Sequence, residues 1–329
     1  IVLLVIGPLR DWLGYRAIAV PGFALAGVCL WMLAGARTYK AAFTACLLLG
    51  VGTMAVSTTA NVLAPEVLFG VDDPSAALNL VNVAYGIGAF FTPLVAAYTL
   101  RKLGYSMAVS IFGAIVFLPA IVALMSSYPE ATGFGFAQYL EVLSSPVIWV
   151  AGVALFCYVG LEQVMGGFIT TYLTDSDMSE GAAGSLLSAF WISLMVSRLA
   201  ASFGLAGQTN TVSSIAVVVL SIAAVATIAF MVAAKAPFTS SLAVILTGLA
   251  FGPIFPTVMG LSLTQFPAEV GGSVVSLVFA LGLLGGTVQP VVIGKYSDKL
   301  SIRQSLQIAV GVAAALAVVS GGLGLMVSA

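Results

Sequence analysis

The chain reads as an all-α membrane protein, and three observations carry that reading. Hydrophobic residues make up 61% of the 329 positions and charged residues only 7%, against about 45–50% apolar and about 25% charged in soluble domains. The apolar residues gather in ten runs, approximately 17–36, 41–63, 77–99, 106–126, 147–173, 183–203, 212–234, 240–262, 272–293 and 306–327. Each is close to or above the roughly 20 residues that carry a helix across about 30 Å of hydrocarbon. The runs also lack the alternation of a transmembrane strand, so helices are left as the way to satisfy the backbone in lipid.

Taken in order, residues Ile1 to Gly7 are too few to span and lack the basic segment of a signal peptide. They are expected to be the end of a helix that begins upstream, in a sequence that is truncated. The ten runs follow. Short charged segments separate them, with Arg16, then Arg37 and Lys40, Arg101 and Lys102, Lys235, and Lys295 to Arg303. Short connections force neighbouring helices to be antiparallel. The longest polar interruption, 127–145, marks a boundary between halves. The expected organisation is an N-terminal bundle over 1–126, a cytoplasmic linker over 127–145 and a C-terminal bundle over 146–329. Four runs and the stub precede the linker and six follow it, so a restored start would make six and six. The spacing from Gly88 to Pro93 recurs from Gly285 to Pro290, as tandem duplication would leave it.

Composition excludes several classes of function. Eleven basic residues against twelve acidic ones provide no patch for nucleic acid. Cys29, Cys46 and Cys157 lie inside runs without metal-ligand spacing and read as small buried hydrophobes. With no histidine in the chain and no paired acids within a run, an intramembrane enzyme has neither nucleophile–base pair nor metal cluster. No metal or cofactor is expected, beyond a coupling proton.

Only Glu162 and Arg198 interrupt the apolar runs. Glu162 lies about two thirds along its run, where an ionised carboxylate costs on the order of 2.5–3.5 kcal/mol by insertion scales. An acid kept at that depth points to a transport pathway, and to a group protonated in one state and ionised in another. The alternative is a permanently neutral Glu bonded to a neighbouring helix. Tyr158 falls one turn earlier on the same face and Gln163 follows, a mixture of aromatic and amide groups suited to a sugar, although a lone Tyr is also ordinary packing. Asn61, Asn79, Asn82 and Gln289 are the other amides within or at the edges of runs, each open to a solute-binding or an interhelical reading.

The segment Gly7-Pro-Leu-Arg-Asp-Trp-Leu-Gly-Tyr-Arg16 resembles the signature between helices 2 and 3 of the major facilitator superfamily, with Gly7, Asp11, Gly14 and Arg16 in the expected places. A degenerate second copy begins at Ser197-Arg198. Three stretches, 77–94 (ALNLVNVAYGIGAFFTPL), 156–173 (FCYVGLEQVMGGFITTYL) and 255–267 (FPTVMGLSLTQFP), resemble the fucose permease branch. The resemblance implies a helix 2 stub plus helices 3 to 12, arranged as two pseudo-symmetric six-helix bundles. It further implies a secondary transporter of a small polar solute, a sugar, working as a monomer by alternating access in a bacterial inner membrane, with proton coupling left open. Asn82 and Gln289 are then expected on cavity-lining helices, and Asp11, Arg16 and Arg198 at a cytoplasmic gate.

Two features depart from that branch. The helix-4 position where its symporters tend to carry a carboxylate is Ser57 here, so a facilitator, a sodium-linked carrier, a drug-type exporter or a non-transporting receptor of the same fold stays open. The implied topology also puts Arg10, Arg16 and Arg198 inside but Arg37, Lys40, Arg101, Lys102, Lys235, Lys295, Lys299 and Arg303 outside, against the positive-inside bias.

Overall fold

The computed structural model describes residues 2–69, 73–129 and 136–327, apart from the side chains of Pro93, Leu94 and Phe136. The described residues form helices α1 (Val2–Leu13), α2 (Tyr15–Ala34), α3 (Tyr39–Val67), α4 (Pro74–Met125), α5 (Phe136–Ser144) and α6 (Pro146–Thr174). They continue as α7 (Glu180–Gly204), α8 (Asn210–Ala233), α9 (Pro237–Phe251), α10 (Ile254–Leu263), α11 (Gly271–Ser297) and α12 (Ile302–Val327). Ten segments are long and apolar enough to cross a membrane. They coincide with the ten runs once α4 is divided at Gly104 and α9 is joined to α10. At Gly104 the backbone has φ 74° and ψ 170°, a conformation that glycine reaches without a Cβ penalty, and the chain turns from one span into the next.

One expectation changes. The segment from Gly7 to Leu13, read as a loop signature after a stub, is helical within α1, and Gly14 alone separates it from α2. Pro8 lies inside that helix, where it withdraws the N–H that would otherwise bond the Leu4 carbonyl. Within the linker, Phe136–Ser144 forms helix α5, and residues 130–135 lie outside those described.

Cα packing divides the chain into two units. The first comprises Ile1–Leu63, Gly88–Ser144 and Phe266–Leu277. Its core joins Ile6, Ile18 and Ala55, with Leu9, Val51 and Met54 against them. Trp31 packs on Phe117 and donates its indole N–H to the Ser110 carbonyl at 2.9 Å. The second comprises Ala64–Ile87, Ser145–Gln265 and Val278–Ala329. Here α12 packs along α8 and α6, while α9 packs on α7 and α8. Tyr172 of α6 ties to α8 by donating to the Met231 carbonyl at 2.7 Å, and Arg303 of α12 donates to Ser176 Oγ at 2.9 Å. Large apolar side chains such as Ile222, Val318 and Leu325 are exposed, as a surface solvated by acyl chains requires.

Small residues let spanning helices approach closely, because packing rather than water drives their association. A Cβ on Gly285 of α11 would overlap the Phe156 carbonyl of α6, whereas one on Gly88 would meet open space. The repeated glycine–proline spacing thus has unlike surroundings in its two copies. Gly285→Ala should push α11 off α6 at a cost of about 1–3 kcal/mol, the range for overpacking. The expected readout is an earlier thermal transition of the purified protein, and an unchanged transition would contradict this packing.

Candidate functional site

Tyr158 and Glu162 leave α6 one turn apart on the same face, toward α7. There they meet Arg198, whose Nη2 lies 3.5 Å from Glu162 Oε2 and donates to the Tyr158 hydroxyl at 3.3 Å. Glu162 is therefore not a lone acid: it faces a buried guanidinium that is 2% exposed. Arg198, expected at a helix end by a gate, sits more than a turn inside α7 with its charge turned to Glu162. A charge taken out of water is stable only with a partner, so each member of the pair explains the other's position. Tyr158, read as an aromatic platform, is fully buried, and its ring packs between Phe251 and Phe255 at centroid distances of 5.8 and 6.4 Å. Its polar end serves the ion pair; its faces serve the core.

The other side of the guanidinium reaches the backbone. Arg198 Nε donates to the Gly252 carbonyl at 2.8 Å, and Ser197 Oγ donates to the Leu249 carbonyl at 2.6 Å. Both acceptors need these donors for a reason written in the sequence. In an unbroken helix they would bond the N–H groups of residues 253 and 256, and both are prolines. The span from Pro237 to Leu263 accordingly divides into α9 and α10 at Gly252–Pro253. In lipid an unmet carbonyl is costly, and adjacent residues of α7 supply what the prolines withdraw. A Cβ on Gly252 would come 2.5 Å from the Leu194 carbonyl, so glycine there permits the approach.

The amides divide between two roles. Asn79 bridges helices, donating to the Ser75 carbonyl at 2.8 Å and to Thr257 Oγ1, just beyond the break, at 3.0 Å. Gln289 of α11 donates to the Phe156 carbonyl of α6 at 2.8 Å. Asn61 and Asn82 donate to carbonyls one turn back on their own helices, at 2.8 Å each. Asn61 Oδ1 and Thr58 Oγ1 on α3, and Asn79 Oδ1 on α4, are buried without a hydrogen-bond partner among the described residues. Gln163, exposed, extends its stem past Gly286.

The signature residues of the first unit form a separate cluster. Asp11 accepts from the Gly272 and Ser273 N–H groups at 2.8 and 2.7 Å and from Ser273 Oγ at 2.6 Å. A carboxylate thus caps the first turn of α11, whose unpaired N–H groups and positive dipole end favour an anion. Arg10 pairs with Asp11 at 2.9 Å and lies over the Tyr15 ring at 3.7 Å. Arg16 donates to the Leu124 carbonyl. Gly7 faces Gly272 and Ser276, leaving no room for a side chain, and Gly14, at φ 83°, turns the chain into α2.

With this geometry in view, the comparisons with known proteins become specific. Residues 1–290 match the description Major Facilitator Superfamily. The chain belongs to the Major Facilitator Superfamily. It is 24% identical to the Saccharomyces cerevisiae bypass of stop codon protein 6, over 84% of this chain and 64% of that protein. It is also 24% identical to a Brucella abortus glucose/galactose transporter, over 47% of this chain and 37% of that one. The chain thus spans less than two thirds of the length of the curated relatives it matches. Among solved structures, the E. coli fucose:proton symporter superimposes with a TM-score of 0.82 at 18% identity, covering 98% of this chain and 87% of that one. The human organic anion transporter MFSD10 gives 0.79 at 16% identity, covering 97% and 80%. At such identities the superpositions show the fold, which is the major facilitator fold with its all-helical spans.

Ser197 and Thr257 lie inside stretches that carry the resemblance, but nothing there marks them individually, and Ser273 is an ordinary residue in apolar context. Tyr85 of α4, exposed yet within electrostatic reach of Glu162 and Arg198, gives no sequence signal. The prolines at 253 and 256 do: two missing N–H groups within one span require donors from elsewhere.

Proposed function

We propose that this protein is a secondary transporter that moves a small polar solute, a sugar, across the membrane by alternating access, with Glu162 as its coupling acid. The observation that carries the reading is the buried Glu162–Arg198–Tyr158 cluster within the second unit of a major facilitator chain. A passive scaffold has no use for an ion pair kept in hydrocarbon, whereas a carrier uses a charge that can be neutralised in part of its cycle. A proton delivered to Glu162 would cancel its charge and loosen its hold on Arg198. The fucose:proton symporter and the glucose/galactose transporter among the similar proteins support the sugar, and the first of them the proton. The location that goes with this reading is a bacterial inner membrane, although the relative matched over most of the chain is from yeast. Residues 1–126 and 146–329 would be the two bundles that rock about the solute in a monomer, with the Asp11 cluster belonging to the gate.

The test is uptake by proteoliposomes holding the full-length protein, against hexoses and 6-deoxyhexoses, with and without an inward proton gradient. Saturable uptake of one sugar, concentrated only with the gradient, is expected. Equilibration that ignores the gradient would make the protein a facilitator, and a response to sodium alone would move the coupling to that ion. Failure to take up any sugar would overturn the substrate class.

A further inference from the structure

We infer that Arg198 is a positioning residue that transmits the charge state of Glu162 to the proline break in the α9–α10 span. Its guanidinium serves two masters with different atoms. Nη2 faces the carboxylate and Nε holds the Gly252 carbonyl that Pro256 leaves without a donor. A planar fork can satisfy both at once, which a single ammonium cannot. The grip on the break is otherwise spare: Ser197 holds the Leu249 carbonyl and Asn79 reaches Thr257 beyond it. Backbone dihedrals at Gly252 and Pro253 stay helical, at φ −45°, ψ −59° and φ −79°, ψ −11°. The break is therefore an interruption of hydrogen bonds and not a fixed kink, which leaves the segment free to bend when its outside donors move. When Glu162 loses its charge, Arg198 loses the partner that fixes its orientation, and the α9–α10 junction loosens. Rocking helices need such a link between site occupancy and a deformable span.

This inference rests on the proposed role of Glu162 as coupling acid, and its test needs no solute. Hydrogen exchange of the full-length protein in lipid nanodiscs is followed across residues 249–260. Glu162→Gln, a neutral isostere, should raise exchange there on the order of tenfold beyond the rise in the α8–α12 pair, which reports the variant's lower global stability; the excess is the equivalent of about one hydrogen bond from a charged donor. Arg198→Lys should produce the same excess with Glu162 intact, and the two changes combined should give no more than either alone. No excess over the α8–α12 pair in Glu162→Gln, or effects that add, would overturn the relay. Should Glu162→Gln fail to fold, the charge-free pair Glu162→Gln/Arg198→Gln carries the test, with the same rise expected and parental exchange overturning it. An exchange response without sugar uptake strikes the proposed function alone. Proton-driven uptake without an exchange response strikes the relay alone.

Discussion

Glu162→Gln should destabilise the protein and, if Glu162 is the proposed coupling acid, abolish concentrative uptake. A solitary intramembrane acid would be replaced at little structural cost, but the partner is a buried Arg198. Removing one member of such a pair leaves the other charge uncompensated, at about 3–5 kcal/mol. The purified variant should melt several degrees earlier than the parent, and its accumulation of the transported sugar should fall to background. Glu162→Gln/Arg198→Gln removes both charges and should recover much of the melting temperature without recovering accumulation. That dissociation separates the two contributions: stability depends on the charges being matched, and coupling depends on a titratable group being present. Parental accumulation by Glu162→Gln would remove Glu162 from the coupling role.

Asp11→Ala should produce the second large effect, through α11. The Asp11 carboxylate accepts three hydrogen bonds at the start of that helix and pairs with Arg10. Hydrogen bonds to a charged group contribute about 1.5–3 kcal/mol each, and the buried Arg10 is left without its carboxylate. Losses in such a network do not add, so the expectation is a destabilisation on the order of 3–5 kcal/mol. Asp11→Asn keeps an acceptor for one N–H and loses the charge, so its deficit should fall between the parent and Asp11→Ala. Thermal melting ranks the three proteins. If the cap belongs to the gate, initial uptake rates should fall in the same order. Melting within about 0.5 kcal/mol of the parent for Asp11→Ala, the range of an inconsequential surface change, would show that the cap contributes little.

Much of the fold was legible because hydrocarbon imposes length and composition directly on sequence. Each of the ten runs became a helical segment long and apolar enough to cross a membrane, since a stretch without charges near 20 residues long has few other stable fates in lipid. Helix boundaries inside polar segments were less legible. The stretch around Arg10 and Asp11 looked like a loop by its charge, yet it is helix, because Arg10 finds Asp11 and Tyr15, and Asp11 finds the α11 N-terminus. Burial of a charged residue depends on a partner distant in sequence, which local composition does not reveal. The polar segment 127–145 likewise holds helix α5, which its composition does not signal.

The site was legible residue by residue and illegible as an arrangement. Glu162 and Arg198 stand out as the charges within runs, but nothing in their separation of 36 positions announces that they meet. Tyr158 was correctly placed beside Glu162 by helical periodicity, while its burial between Phe251 and Phe255 depends on how α9 and α10 pack. Gln289 and Asn79 were recognisable as costly amides; which carbonyl or hydroxyl answers each follows from helix contacts alone.

By itself the sequence determined that this protein lives in a membrane, how many described spans it has, and that one acid and one arginine must be accommodated within them. These follow from the free energy of moving each residue from water to lipid, a quantity local in the chain. Only the tertiary structure decided that the two charges neutralise one another, that Arg198 also closes a gap opened by two prolines, and that Asp11 caps a helix more than 250 residues away. Hydrogen bonds and ion pairs act over about 3 Å, so their partners are set by the packing of helices and not by position along the chain.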